Sequence, residues 1–203
     1  MIKLMSFFEK LMHIILLNIL FFLGTAIGLI AFGTMPALYA VNQTFKDEIL
    51  FEPHSPIMPI IKNFFNEYKS NFLRINMIMI PYSILIIIIL IDIYILQFNH
   101  SLNLLLAPLI VLLLYLVVNI SFLLTVIDEP NGSILDKIKL VILAPLLNLK
   151  TSFLILLYLF ISILIFNFYI PAFILLFPSL YIKMSCLASR KSMLNKELLI
   201  SID

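Results

Sequence analysis

Four stretches of this chain carry no charged side chain: residues 11–45, 75–91, 93–127 and 151–182 lack Asp, Glu, Lys and Arg. A charge at the centre of a membrane-spanning helix costs about 2.5–3.5 kcal/mol on insertion scales, so these runs mark where the chain can cross a bilayer. One crossing takes about 20 apolar residues. The three longer runs exceed that, so each must fold back or break. The rest of the composition agrees. Hydrophobic residues make up 63% of the chain and charged residues 12%, against roughly 45–50% and 25% in soluble domains. Too few polar groups remain to cover a soluble surface. A water-soluble enzyme, a nucleic-acid-binding module and a disordered chain are all excluded.

The breaks fall at turn-forming residues. Gln97-Phe98-Asn99-His100-Ser101 divides one run, and Asn167-Phe168-Tyr169-Ile170-Pro171 divides another. The first run holds Gly24, Gly28 and Gly33, followed by Thr34-Met35-Pro36. Thr34 is placed to cap a new helix with Pro36 in its first turn. The expected spans are roughly 8–30, 35–48, 73–96, 102–127, 151–166 and 169–189, in one transmembrane domain over residues 1–203. The first hydrophobic stretch is too long for a cleavable signal peptide and has no small-residue cleavage site.

Two further helices read as amphipathic. Ile57, Ile60, Ile61, Phe64, Phe65, Tyr68 and Phe72 share one face of a helix over 56–72, with Lys62, Asn63, Asn66, Glu67 and Lys69 opposite. Ser55 can cap it, with Pro56 at the first position. Ser133-Ile134-Leu135-Asp136 fits a capping box, followed by an apolar face of Ile134, Leu135, Ile138, Val141 and Ile142. Such helices suit the membrane interface. Lys69-Ser70-Asn71-Phe72-Leu73 resembles Lys150-Thr151-Ser152-Phe153-Leu154, a weak hint of duplication. The fold class is therefore all-α: a polytopic membrane bundle of about six hydrophobic segments with two amphipathic interfacial helices.

Basic residues set the orientation. Six crossings with both termini in the cytoplasm place all 13 lysines and arginines inside. Five crossings would turn Lys3 and Lys10 outward, so the charge count favours six. Tyr68, Tyr94, Tyr169 and Tyr181 fall near predicted helix ends, where an amphipathic ring prefers to sit.

Few polar residues remain as candidates for chemistry. Asp92 lies within an apolar span, and an intramembrane carboxylate is a functional candidate by default. It is also about one turn from the end of the span, where its carboxylate can reach water. Asn18, Asn42, Gln43, Asn76 and Asn119 suit interhelical hydrogen bonds more than ligand binding. Gly24 and Gly28 make a small-xxx-small packing pattern, which serves close approach within the chain or between two copies. No phosphate loop, serine elbow or HExxH motif occurs, and His13, His54 and His100 are scattered. Cys186 is the single cysteine, which excludes a disulfide framework. No catalytic residue, metal site or cofactor is expected. The net charge of +2 points to no nucleic acid.

The order of these motifs resembles the YesL-like small membrane proteins of Firmicutes and related bacteria, a family without an assigned function. The resemblance runs through Leu16–Phe21 with Asn18, through Gly28–Ala40 with Gly33 and Pro36, and through Phe64–Phe72. Asp92 and Asp128 fall where that family places acids after apolar spans. Departures are the segment Phe45-Lys46-Asp47-Glu48, where the family is more basic, and the absence of tryptophan. The resemblance implies a multi-pass protein of the bacterial plasma membrane. Through gene neighbourhood, it also implies a supporting role in carbohydrate uptake by an ABC-type importer. Two readings follow. One is a non-enzymatic accessory or regulatory protein acting by helix contacts, with a transport complex or a second copy as partner beside the lipid bilayer. The other is a small solute transporter or channel with a polar path between its spans.

Overall fold

The computed structural model describes residues 2–30, 32–47, 56–98, 104–129 and 133–195, and all regular structure among them is helical. The helices are α1 (Ile2–Ile27), α2 (Thr34–Lys46), α3 (Ile57–Leu96), α4 (Leu106–Val126), α5 (Ile134–Leu147), α6 (Leu149–Phe168) and α7 (Ile170–Asn195). Five of them, α1, α3, α4, α6 and α7, are long and apolar enough to cross a membrane. Segment 35–48 is the exception. Helix α2 has 13 residues, about 20 Å at 1.5 Å per residue, against a hydrocarbon core of about 30 Å. It cannot cross alone.

The expected boundary between an interfacial helix at 56–72 and a span at 73–96 does not exist. Helix α3 runs unbroken for 40 residues. Lys69-Ser70-Asn71 is polar but contains no breaker, and its side chains turn back onto the helix. Ser70 Oγ donates to the Asn66 carbonyl at 2.6 Å, and Asn71 Nδ2 donates to that of Glu67 at 3.3 Å. One buried stripe passes through the predicted junction: Ile60, Phe64, Tyr68, Ile75, Met79, Tyr82, Ile89 and Leu96. A continuous 3.6-residue stripe gives the helix no reason to stop. Ser55 lies outside the described residues, as do Asn99, His100 and Ser101 of the next turn.

Helix α5 starts as its sequence predicts. Ser133 Oγ accepts from the Asp136 N–H at 3.2 Å, and Asp136 Oδ2 accepts from the Ser133 N–H at 3.4 Å. The Ser133 hydroxyl also donates to Asp136, and these bonds hold the Asp136 carboxyl below its ordinary pKa. Its buried face differs from the one expected. Lys137, Val141, Ala144 and Pro145 are buried, whereas Ile134, Leu135 and Ile142 are exposed. The reason is Lys137, whose Nζ donates to the carbonyls of Ile127 and Glu129 beyond the end of α4. A lysine at this end of α4 bonds to carbonyls past the last turn and complements the helix dipole.

Two compact units can be distinguished. The first comprises Met1–Ile78 with Tyr158–Met184, the second Met79–Leu157 with Ser185–Asp203. In the first, α1 and α2 fold back on each other, packed against the start of α3 and the first half of α7. In the second, α5 packs on α4, Ser192 Oγ donates to Asn148 Oδ1 at 2.7 Å, and Cys186 is buried against the Ser121 carbonyl.

Candidate functional site

The expected break in the first run is present. Helix α1 ends at Ile27 and α2 begins at Thr34. The turn uses the hydrogen-bond pattern that closes many helix C-termini. The Ile30 N–H reaches back to the Thr25 carbonyl at 2.9 Å and the Leu29 N–H to that of Ala26 at 3.1 Å. Such an ending places the residue just past the helix in the left-handed region, usually as glycine. Here it is Leu29, with φ 56°, followed by Ile30 with φ 61°. Left-handed backbone costs a side-chain-bearing residue about 1–2 kcal/mol, and a β-branched residue such as Ile30 adopts it least readily.

The glycines are spent on contact instead. A Cβ on Gly28 would overlap the backbone of Gly33, and one on Gly33 would lie 2.5 Å from the Thr25 carbonyl oxygen. At Gly24 the space is tight but lined by side chains: Phe64 at 3.2 Å, Ala37 and Tyr68 at 3.3 Å. Gly24 and Gly28 therefore serve close approach within this chain. Pro36 is buried in the first turn of α2, where a missing N–H costs nothing. Thr34 does not cap that helix. Its hydroxyl donates backwards to the Ile30 carbonyl at 2.6 Å, and the cap position is Gly33, without a side chain. The Thr34 hydroxyl satisfies the turn that precedes the helix.

Tyr68 completes the arrangement. Its hydroxyl donates to the Gly24 carbonyl at 2.8 Å while its ring stacks on Phe64, with centroids 6.1 Å apart. Sequence reasoning placed Tyr68 on an apolar helix face as an interface anchor and missed this bond. The available signal was a lone hydroxyl-bearing ring among Phe64, Phe65 and Phe72. Tyr68→Phe keeps the ring and removes the bond, so it should cost about 0.5–1.5 kcal/mol, read as a lowered denaturation midpoint in mild detergent. Tyr68→Ala should cost more.

Asn18 is fully buried, and its carboxamide joins α1 to α7. Its Nδ2 donates to the Leu175 carbonyl at 2.8 Å, and its Oδ1 accepts from the Ser179 N–H at 2.8 Å. Those two groups are the pair that a regular helix would bond to each other. They lie beside Pro178, inside α7, where a proline disturbs the ladder. The Asn18 amide thus bonds to both members of that pair, a structural task that leaves it no free donor for a ligand: Nδ2 also donates to the Ile14 carbonyl at 3.2 Å.

The remaining candidates, Asp92 and Asp128, belong to the second unit. Asp92 is exposed on α3 and borders a shallow groove with Ile95, Leu96, Leu105, Pro108, Leu109 and Leu112. All of its partners there are apolar. Asp128 is half-buried just after α4 and is engaged within the fold. Among the described residues no three His, Cys, Asp or Glu side chains converge to hold a metal ion.

One protein family matches the part of the chain that carries this turn. Residues 14–93 match the family described as "Protein of unknown function, DUF624". That segment contains Asn18, the α1–α2 turn, Pro36, Tyr68 and Asp92. The chain is also 30% identical over 100 residues to the uncharacterised protein YteU of Bacillus subtilis (strain 168), covering 49% of this chain and 44% of that protein. It thus spans less than half the length of that relative. No solved structure is similar to it.

Proposed function

We propose that this chain is a non-enzymatic accessory or regulatory protein of the bacterial plasma membrane, acting through helix–helix contacts to support a carbohydrate ABC-type uptake system. Both termini lie in the cytoplasm if α1 turns back with α2 and only α3, α4, α6 and α7 cross, an arrangement that keeps all 13 basic residues inside. The observation that carries the reading is the use of polar side chains within the apolar helices. Asn18, Thr44, Ser83, Thr125, Asn148, Ser162 and Ser189 each bond to backbone carbonyls. A sugar carrier needs such groups facing a path; here Asn18 bonds across to α7 and the others bond to the carbonyl four residues back. Much of the apolar surface stays outward, on Leu73, Met77, Phe160 and Leu187 among others, where lipid or a partner helix can cover it. The link to carbohydrate uptake rests on the YesL-like resemblance.

A second reading, a small solute channel or transporter, draws on buried polar atoms without a hydrogen-bond partner, Asn76 Nδ2 in the first unit and Asn119 Oδ1 in the second. One set of experiments separates the two. Extraction from native membranes in mild detergent after brief cross-linking should recover the chain with a membrane subunit of an importer. The purified protein in liposomes should pass no sugar. Flux that is lost in Asn119→Leu would establish the second reading instead.

A further inference from the structure

We propose that the α1–α2 hairpin is re-entrant: its tip, Leu29-Ile30 with Phe32, sits in the acyl layer of the bilayer and does not emerge into water. This goes beyond the accessory reading and stands whether or not that reading holds. A hairpin reaches only as deep as its shorter arm. Helix α2 ends in Lys46 and Asp47, which belong at the headgroups. Its 13 residues can carry the tip no more than about 20 Å inward, which leaves it short of the far side of a core about 30 Å thick.

The tip itself is built for lipid. Leu29 is 81% exposed, Ile30 70% and Phe32 53%, and no charge occurs from residue 11 to 45. A turn at an aqueous surface would carry Gly, Asn or Asp at its left-handed positions; this one keeps leucine and isoleucine there despite the strain. Bare backbone is not tolerated in hydrocarbon. Here the N–H groups of Gly28, Leu29, Ile30 and Thr34 all bond to carbonyls within the turn. The Thr34 hydroxyl adds a second bond to Ile30, and the Tyr68 hydroxyl reaches Gly24. A turn in water has no need of such closure. Ile27, beside the tip, shares a groove with Lys69, Phe65, Phe72 and Leu73, so the tip lies shallow enough for the stem of Lys69 to bring its ammonium to the cytoplasmic headgroups.

The natural chain has no tryptophan, so Phe32→Trp introduces a single fluorophore at the tip. In proteoliposomes its emission should be blue-shifted, strongly quenched by lipids brominated on the acyl chain, and little affected by iodide. Lys139→Trp, on the polar face of α5, should behave in the opposite way. Red-shifted, iodide-accessible emission from position 32 would place the tip in water and overturn the proposal. Blue-shifted emission that brominated lipid leaves unquenched would place it against protein and overturn it equally. Leu29→Cys gives an independent reading. A membrane-impermeant maleimide should label it only after detergent extraction, and labelling in intact cells or inverted vesicles would refute the embedding.

Discussion

Gly28→Ala is expected to be the most damaging single-methyl change in the α1–α2 hairpin. The added carbon would fall on the Gly33 backbone, and backbone cannot rotate aside as a side chain can. The two helices must separate, which also pulls on the Thr25 and Ala26 carbonyls that close the turn. Overpacking of this kind costs about 1–3 kcal/mol, and the rigid neighbour argues for the upper end. Gly24→Ala provides the contrast. Its new methyl meets the tips of Phe64, Tyr68 and Ala37 at 3.2–3.3 Å, and alanine favours a helix over glycine by about 1 kcal/mol. The two effects oppose each other, so the net change should be small. Denaturation midpoints of both variants in the same detergent check the ordering. Equal losses at the two positions would mean that backbone contact is not what requires Gly28.

The parts of this fold that the sequence showed are those set by local chemistry. Charge-free runs located the apolar helices because each charged side chain bars its own stretch of chain from the hydrocarbon. The Gly24–Pro36 interruption was visible because glycine and proline act on their own backbone. The Ser133–Asp136 cap was visible because both partners lie within one turn. What escaped were outcomes of competition. Thr34 had two nearby uses for its hydroxyl, and the carbonyl of Ile30 took it in place of the helix start. Lys69-Ser70-Asn71 looked like a junction, yet polar side chains that bond within a helix do not end it. Leu29 and Ile30 at positive φ contradict residue preference, since local rules would have given those angles to the glycines beside them. Packing of Gly28 on Gly33 decides instead, and that contact cannot be read from the order of residues. Of the candidate site, Gly24, Gly28, Gly33 and Pro36 were recognised as one feature, whereas Tyr68, 44 positions beyond Gly24, had no local signal tying it to them. Asn18 was recognised as an interhelical hydrogen bonder, but its partners on α7 could not be named.

That long-range amide gives the other large effect. Asn18→Asp should destabilise the packing of α1 on α7 more than Asn18→Leu, although aspartate is the closer match in shape. A carboxylate can accept from the Ser179 N–H as the amide oxygen does. It cannot donate to the Leu175 carbonyl, so an anion and a carbonyl oxygen would face each other at the 2.8 Å now spanned by a hydrogen bond. Burial makes an unpaired carboxylate costly, and protonation of the oxygen that faces Leu175 is the only escape. Leucine loses both bonds, but it leaves Ser179 N–H and the Leu175 carbonyl free to find each other as a regular helix would. Its net cost should therefore be about 1–2 kcal/mol, near the upper range for hydrogen bonds in membrane proteins. Asn18→Asp should exceed that at neutral pH and recover partly as acid neutralises the carboxyl. The proline beside the rung supplies the decisive control. In the Pro178→Ala background α7 has its full ladder available, so the penalty of Asn18→Leu should shrink. A double-mutant cycle measured by thermal unfolding reads that coupling. A penalty unchanged by Pro178→Ala would show that Asn18 merely fills space, and that the rung beside Pro178 is not what it serves.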